Sequence, residues 1–218
     1  MAVVSIASAK GGVGKSTLAL LVGAEFALEG YRVTILDCDL NQHVSAFGFK
    51  AKLPGLTILP DIGEGEVLKA MRQAEGEGDV VLIDLPGGSS TLALKALQRS
   101  HLVLVPTQPS LPDVRDAMKT VAQIDDAQEL ARVPIARAVV WTRFLPGFES
   151  RVARHVRQSL EGEDVPILKT ALMERAAFRA IHLTGEVPRQ TEPGGPAATN
   201  VSALAQEVLE RLAVKEAA

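Results

Sequence analysis

The segment Ala9–Thr17 reads A-K-G-G-V-G-K-S-T and closely follows the apolar run Val3–Ala7. It departs from the phosphate-loop pattern G-x-x-x-x-G-K-[ST] only at Ala9, where the first glycine of the pattern belongs. The apolar spacing after the loop predicts a helix over residues 15–29. A strand, a glycine-rich loop and a helix in this order are typical of nucleotide-binding proteins, and a plain glycine-rich turn is the structural alternative.

The loop carries a full set of groups for binding the phosphate chain of a nucleotide. Glycines let its backbone bend so that N–H groups point at phosphate oxygens, and these groups come from Gly11, Gly12, Val13 and Gly14. Lys15 is placed to reach the terminal phosphates, and the Ser16 hydroxyl is placed to bind Mg²⁺. Lys10 is an additional lysine at the outer end of the loop, with no counterpart in the ordinary pattern.

Composition narrows the classes of protein to which the chain can belong. Its 218 residues predict a single domain over residues 1–218, and 47% apolar residues suffice for a sizeable core. The formal net charge of −3 excludes a general positive field, so contact with DNA needs a local basic patch. Cys38 is the sole cysteine, which excludes an intrachain disulfide framework or thiolate cluster. No charged leader precedes the first apolar run, and we expect a cytoplasmic protein.

Apolar runs rich in β-branched residues recur along the chain and predict the strands of a sheet. They are Val3–Ala7, Val33–Leu36, Leu56–Leu59, Val80–Ile83, Leu102–Val105 and Ile135–Trp141, with a further short strand at Val165–Leu168. Helices are predicted at Lys15–Glu29, Glu64–Ala74, Thr91–Arg99, Asp113–Leu130, Arg151–Leu160 and Val201–Val214, and a loop at Thr191–Thr199. This alternation predicts an α/β fold with a doubly wound, mainly parallel sheet and helices on both faces.

Two of the predicted strands are followed directly by acidic residues. The second is followed by D-C-D at residues 37–39 and the fourth by D-L-P-G at residues 84–87. Because the carboxyl ends of parallel strands share one edge, we expect these carboxylates beside the phosphate loop. Asp84 fits the Walker B aspartate that holds Mg²⁺, usually through water. Asp39 is a candidate for orienting the attacking water.

Some residues of these two acidic segments also have other interpretations. Asp37 and Asp39 are also explained by turn chemistry at a strand end. The carboxylates around Cys38 are expected to raise its pKa, and we interpret it as a small buried side chain rather than a redox group. Gly87 is placed to offer a backbone N–H to a γ-phosphate, which makes its segment a candidate sensor of ATP against ADP.

Together these motifs resemble those of the ParA/MinD family of deviant Walker A ATPases. The matching segments are K-G-G-V-G-K-S-T at Lys10–Thr17, D-C-D at Asp37–Asp39 and L-I-D-L-P-G at Leu82–Gly87, and the resemblance covers nearly the whole chain. It implies the P-loop NTPase fold, ATP and Mg²⁺ as cofactors, and slow hydrolysis of ATP. It also implies a homodimer that forms with ATP, in which each Lys10 reaches the phosphates bound by the other subunit.

The resemblance implies a role for each residue of the motifs. The phosphates are contacted by Lys10, Lys15 and, at the α-phosphate, Thr17, while the metal lies near Ser16, Asp37 and Asp84. Asp39 serves hydrolysis, so the expected catalytic residues are Lys10, Lys15 and Asp39. Since two facing ATP molecules repel each other, a lysine that crosses the interface makes dimerisation depend on the nucleotide. Thr142 and Arg143, just after a strand end, are candidates for the adenine pocket.

Within the family, the chain resembles small ParA proteins without an N-terminal DNA-binding extension, because its phosphate loop begins within the first ten residues. Some segments are also similar to the VirC-type ParA-like proteins of T-DNA transfer. They are residues 87–90, 105–107, 112–113 and 174–178. The resemblance implies partition of plasmid or chromosome cargo. The alternatives are a VirC-like ATP-dependent scaffold for a DNA-processing or conjugation complex, and a positioning ATPase for a protein cargo.

In ParA proteins, basic residues of the C-terminal region contact DNA phosphates without reading sequence. Here Arg151, Arg154 and Arg157 recur every three residues on one predicted helix, and a second basic set consists of Lys169, Arg175, Arg179 and Arg189. Dimerisation doubles such a patch, and affinity rises steeply with the number of phosphates contacted. An ordinary solvated face, balanced by nearby acidic residues, is the alternative.

The last predicted helix bears on whether the protein binds membranes. Its segment Val201–Ala218 contains Glu207, Glu210 and Glu216 against only Arg211 and Lys215. This excess of acidic residues disfavours binding to anionic lipids and predicts a helix packed on the sheet. We therefore expect no membrane partner. The expected partners are a second copy of the chain, non-specific DNA, and a ParB-like or adaptor protein that stimulates hydrolysis at the nucleoid.

Overall fold

The computed structural model of the chain describes residues 1–147 and 149–216. Within these residues, seven parallel strands form one sheet in the order β3-β2-β4-β1-β5-β6-β7. The strands are β1 (Ala2–Ile6), β2 (Val33–Asp37), β3 (Leu56–Leu59), β4 (Val80–Asp84), β5 (Leu102–Thr107), β6 (Ala136–Phe144) and β7 (Leu172–Met173). The helices are α1 (Lys15–Leu28), α2 (His43–Gly48), α3 (Val67–Glu77), α4 (Thr91–Leu97), α5 (Leu111–Ala131), α6 (Arg151–Glu161), α7 (Ala176–Thr184), α8 (Pro188–Thr191) and α9 (Pro196–Glu216).

Two apolar cores lie on opposite faces of the sheet. On one face, α1, α2, α7 and α9 cover strand residues such as Ile6, Ile35 and Leu82. On the other face, α3, α4, α5 and α6 cover residues such as Val81 and Val103. Successive side chains of a strand therefore enter different cores, which explains why the strands read as continuous apolar runs. The predicted doubly wound α/β fold is confirmed.

The register of the strands brings the acidic motifs to the phosphate loop. Ile6, the last residue of β1, pairs with Asp84 at the end of β4. Asp84 in turn pairs with Asp37 at the end of β2. The loop that leaves β1 therefore begins beside both carboxylates, at the carboxyl edge of the sheet where α/β proteins bind their ligands.

Parts of the fold differ from the prediction. The strand predicted over 165–168 makes only an isolated bridge between Ile167 and Val139, and β7 forms at Leu172–Met173 instead. Helices α2, α7 and α8 have no predicted counterpart, because they are short and depend on packing into the core rather than on a long amphipathic period. The loop predicted over 191–199 is partly helical, since α9 already begins at Pro196, and proline suits the first turn of a helix.

Helix α9 packs beside α1 on the sheet. Val201, Leu204 and Val208 are buried in the core of that face, which confirms the predicted packing of the last helix. The final two residues of the acidic segment 201–218 lie outside the described residues. Among the residues that the structure describes, no helix has the length and apolar character needed to cross a membrane.

Candidate nucleotide-binding site

The loop between β1 and α1 has the conformation that a phosphate cradle requires. Gly12 and Gly14 have φ angles of 77° and 98°, in the left-handed region that favours glycine. Lys15 is the first residue of α1, so the positive end of this helix opens onto the loop. The Thr142 hydroxyl, near the end of β6, donates to the Val13 carbonyl over 2.9 Å and ties the loop to the sheet.

The inner end of the loop brings a cation and a carboxylate together inside the protein. Lys15 is 5% exposed and Asp84 is 0% exposed. Neither carboxylate oxygen of Asp84 has a hydrogen-bond partner among the described residues. Burial raises the pKa of Asp84 from 3.8 to about 7, although the neighbouring Ser16 hydroxyl and Lys15 ammonium favour the charged form. A buried carboxylate of this kind suits a divalent cation, so Ser16 and Asp84 are the residues that would hold Mg²⁺.

Asp37 is as deeply buried as Asp84 but has donors of its own. Its Oδ2 accepts the Ser45 N–H at 2.8 Å and the Ser45 hydroxyl at 2.7 Å. Its Oδ1 accepts the Asp39 N–H at 3.3 Å. These bonds attach the beginning of α2 to the end of β2, which is the turn chemistry considered as the alternative for Asp37. Asp37 also pairs with Asp84 along the strands, so the two carboxyl groups stay on neighbouring strand ends.

A cavity of about 510 Å³ opens over the loop. Besides the loop, its walls include Asp39, Asn41, Arg143 and His182. Asp39 Oδ1 accepts the Asn41 N–H at 2.9 Å and the Asn41 side-chain amide at 2.8 Å, so its carboxylate is held within its own turn. The structure thus brings Asp39 into the same cavity as the phosphate loop, where a carboxylate is able to orient water.

The turn after β4 lies directly against the loop. A Cβ atom at Gly87 would lie 3.3 Å from the Gly11 nitrogen, so any larger residue at this position would push the two backbones slightly apart. Gly88, with a φ angle of 96°, donates its N–H to the Ser8 carbonyl over 3.1 Å. This contact couples the turn to the loop. Such coupling is needed if the turn is to respond to the terminal phosphate of a nucleotide.

The outer lysine of the loop has a partner in its own chain. Lys10 Nζ lies 2.8 Å from Asp113 Oδ1, in the first turn of α5. The Lys10 side chain is 44% exposed and the Asp113 side chain 6%. The hydrogen bond and charge of Asp113 raise the pKa of Lys10. Lys10 is therefore directed towards α5 in the single protomer.

A second cavity, of about 230 Å³, adjoins the first where β6 and β7 end. Thr142 and Arg143, which the sequence suggests for an adenine pocket, line it together with Thr17. Phe178 and His182 of α7 line it as well. The sequence does not predict that these two residues line a cavity, because α7 is not predicted. Phe178 does end the segment 174–178 that resembles VirC-type proteins, whereas nothing in the sequence points to His182.

The basic stripe on α6 is partly neutralised. Arg154 and Arg157 lie 3.4 and 2.9 Å from Glu149, and Arg157 also pairs with Glu161. Arg151, at the beginning of the helix, is exposed and has no ion pair among the described residues. The stripe lies on the sheet face that carries α5.

The second basic set lies around α7, α8 and α9, on the opposite face of the sheet. Its members are Lys169, Arg175, Arg179 and Arg189. Arg189 pairs with Glu29 and, at 2.7 Å, with Glu25, whose side chain is only 4% exposed. Arg189 therefore neutralises a buried carboxylate. Lys169 and Arg179 are exposed, and Arg179 lies 3.8 Å from Glu174. Contact of either set with DNA stays a prediction.

Cys38 has the character expected from the sequence. It is 6% exposed, and burial raises its pKa to about 12, with Asp84 and Asp37 adding to the effect. The expected rise in pKa is confirmed, but burial contributes more to it than the carboxylates do. The thiol is therefore a small core group in the described structure.

The chain is similar to known proteins over most of its length. Residues 1–207 match the VirC1 protein family. Protein ParA from Rhizobium radiobacter is 35% identical over 186 residues, which cover 85% of this chain and 84% of that protein. Protein virC1 from Rhizobium radiobacter is 30% identical over 192 residues, which cover 85% of this chain and 82% of that protein.

Solved structures share the fold at lower identity. Apo McdA from Cyanothece superposes with a TM-score of 0.79 at 16% identity, over 96% of this chain and 99% of that one. MinD from Pyrococcus horikoshii, complexed with Mg-ADP, superposes with a TM-score of 0.77 at 21% identity, over 98% of each chain. These similarities extend over the whole sheet and its helices.

Proposed function

The chain belongs to the VirC1 family of ParA-type ATPases, and we propose that it hydrolyses ATP with Mg²⁺ and forms a homodimer when ATP is bound. The observation that carries the proposal is the arrangement at the inner end of the phosphate loop. Lys15 and Asp84 are both buried there, and the Asp84 carboxylate has no hydrogen-bond partner among the described residues. A buried carboxylate is costly to ionise unless a cation joins it, and the loop beside it is built for an anion.

Each part of the site has a separate task in this proposal. The loop backbone and Lys15 bind the phosphates, while Ser16 and Asp84 hold Mg²⁺. Bound ATP supplies the phosphoryl group that is transferred to water. Asp39 orients the water, and the turn at Gly87 responds to the terminal phosphate because it lies against the loop.

Lys10 makes the site depend on two protomers. In the proposed dimer, the Lys10 side chain leaves Asp113 of its own protomer and contacts the phosphates bound by the second protomer. Two triphosphates that face each other repel strongly at close range, and a cation inserted between them converts this repulsion into attraction. Dimerisation therefore follows the nucleotide state.

We extend the proposal to non-specific DNA binding by the dimer, followed by partition of a cargo. The α6 residues Arg151, Arg154 and Arg157 contact DNA phosphates, with Lys169, Arg175 and Arg179 as a second set. A ParB-like or adaptor protein stimulates hydrolysis, which releases the dimer from DNA. The 35% identity to a ParA protein supports partition over other uses of the same chemistry.

The match to the VirC1 family favours a second candidate, an ATP-dependent scaffold for a DNA-processing complex. In that case hydrolysis is secondary and the dimer recruits other proteins. A partner that raises ATP hydrolysis several-fold supports partition. Sequence-preferring DNA binding without stimulation supports the scaffold.

The proposal is tested by light scattering coupled to size exclusion, with ATP and Mg²⁺, with ADP and Mg²⁺, and without nucleotide. We expect a dimer only with ATP and a monomer in the other two conditions. A chain that binds ATP and Mg²⁺ but stays monomeric contradicts the dimer. A chain that binds no nucleotide contradicts the assignment of the loop.

A further inference from the structure

We propose that Asp113 is a positioning residue that holds Lys10 against α5 in the single protomer and thereby sets the ATP concentration at which dimerisation begins. This inference rests on the proposed function, because Lys10 must leave Asp113 before it is able to reach a nucleotide on a second protomer. Asp113 is far from the loop in sequence. Residues 112–113 belong to a segment that resembles VirC-type proteins, but the sequence assigns Asp113 no role.

The carboxylate of Asp113 is fixed in place to receive Lys10. It accepts from Lys10 Nζ at 2.8 Å through Oδ1, and its Oδ2 contacts the Ser110 hydroxyl. Ser110 is the N-cap of α5 and accepts the Asp113 N–H at 3.2 Å. The side chain of Asp113 is only 6% exposed, so its orientation is set by α5 rather than by Lys10.

The Lys10 contact belongs to a larger attachment of the outer loop. The Ala9 N–H donates to Thr120 Oγ1 of α5 over 2.9 Å. The Gln108 side-chain amide, just before α5, donates to the Gly12 carbonyl over 3.2 Å. The outer half of the loop is thus docked on α5 and the segment before it, whereas the inner half opens into the cavity.

Departure of Lys10 leaves a buried charge behind. The Ser110 hydroxyl then remains as a donor to the Asp113 carboxylate, and a buried carboxylate that loses its counter-ion is strongly disfavoured. The raised pKa of Lys10 reflects the same attraction from the lysine side. Lys10 therefore leaves only for a stronger anion such as a triphosphate. Because the Lys10 side chain is 44% exposed, solvent screens the ion pair. We therefore expect removal of Asp113 to change the reactivity of Lys10 and the ATP concentration for dimerisation several-fold rather than by many powers of ten.

The same helix offers a matched control. Asp116 follows Asp113 in α5 and is also acidic, but it pairs with Lys119 at 2.8 Å and contributes only a minor attraction to Lys10. Asp113→Asn removes the charge and keeps the shape and an acceptor for Ser110. Asp116→Asn makes the same chemical change without removing the partner of Lys10. Asp113→Glu retains the charge and is expected to behave more like the wild type.

The first measurement needs no dimer. Nucleotide-free protein is acylated with acetic anhydride, and the modification of each lysine is followed by mass spectrometry. We expect Lys10 to react more slowly than the exposed Lys169 in the wild type. In Asp113→Asn we expect Lys10 to react roughly several-fold faster than in the wild type, because losing the hydrogen bond and charge of Asp113 lowers the pKa of Lys10 and leaves more of the neutral amine. Asp116→Asn leaves the rate unchanged. Equal rates in the wild type and Asp113→Asn, or Lys10 as reactive as Lys169, overturn the proposal.

The second measurement is the ATP concentration for half-maximal dimerisation with Mg²⁺. We expect it to fall roughly 3- to 10-fold in Asp113→Asn and to stay unchanged in Asp116→Asn. An unchanged midpoint in Asp113→Asn overturns the proposed threshold. A wild type that stays monomeric at every ATP concentration contradicts the proposed function instead, and the acylation result then decides by itself whether Asp113 holds Lys10. The two failures are thus distinguishable.

Discussion

The two lysines of the phosphate loop are held in opposite ways. Lys15 is buried near Asp84, whose carboxylate has no partner among the described residues. Lys10 is almost half exposed and is paired with Asp113 of its own chain. The inner end of the loop is thus incomplete without a ligand, whereas the outer end is satisfied until a stronger anion competes for it. This difference separates nucleotide binding from dimerisation and suggests how to test each of them alone.

The largest expected effect is the loss of nucleotide binding when Lys15 is removed. We expect Lys15→Ala to weaken ATP affinity by roughly 100-fold or more, because a buried charge-assisted contact with the phosphates is lost. Isothermal titration with Mg²⁺–ATP measures this loss. Lys10→Ala is the matched control, and its affinity in the monomer stays within roughly threefold of the wild type. Equal losses in both variants contradict the separation of the two ends.

A second prediction separates hydrolysis from assembly. We expect Asp39→Ala to lower ATP hydrolysis by roughly 100-fold, in the range of a lost general base, while the ATP dimer persists. Phosphate release gives the rate, and co-sedimentation with DNA reports whether the trapped dimer is retained. Hydrolysis at the normal rate in this variant shows that Asp39 is not the carboxylate that orients water.

A third prediction concerns the basic stripe of α6. Replacing Arg151, Arg154 and Arg157 with Glu is expected to weaken DNA binding at least roughly tenfold and to reduce its salt dependence, without altering ATP-dependent dimerisation. Fluorescence anisotropy at several salt concentrations measures both effects. Arg189→Gln is the control, because Arg189 pairs internally with Glu25 and should affect stability rather than DNA binding. Unchanged affinity in the triple variant places the DNA contact elsewhere.

The smallest expected effects are on stability, and they compare the two buried aspartates. Asp37→Asn weakens the bonds from Ser45, and we expect a loss of about 2 kcal/mol, or roughly 4–8 °C in melting temperature. Asp84→Asn removes a buried carboxylate without partners, so its melting temperature at about pH 8 in EDTA should equal or exceed that of the wild type. Calorimetry measures both variants. A larger fall in melting temperature for Asp84→Asn than for Asp37→Asn contradicts this prediction.

The pH dependence of stability follows from the raised pKa of Asp84. Because its pKa in the folded protein is about 7 and its ordinary value is 3.8, the folded state keeps a proton that the unfolded chain loses in this range. In EDTA, the contribution of Asp84 to stability therefore falls as pH rises from about 4 to about 7. Asp84→Asn is expected to flatten this slope in melting curves. An identical dependence of melting temperature on pH in the variant and the wild type contradicts the raised pKa of Asp84.

Much of this arrangement follows from the sequence because its signals are local. The loop at Lys10–Thr17, the apolar strands and Asp84 at a strand end each lie within a short segment, and the parallel sheet brings them to one edge. The contact of Lys10 with Asp113 joins segments 103 residues apart and depends on how α5 docks, so no local pattern predicts it. Helix α7 carries Phe178 and His182 into the second cavity but is too short to show a clear period.

The role of Lys10 in joining two protomers is tested most directly by analytical ultracentrifugation of the wild type and Lys10→Ala at saturating ATP and Mg²⁺. We expect the wild type to sediment as a dimer and Lys10→Ala to sediment as a monomer that still binds ATP. A Lys10→Ala protein that dimerises like the wild type contradicts this role, because a lysine that reaches into a second protomer would then not be what joins the pair.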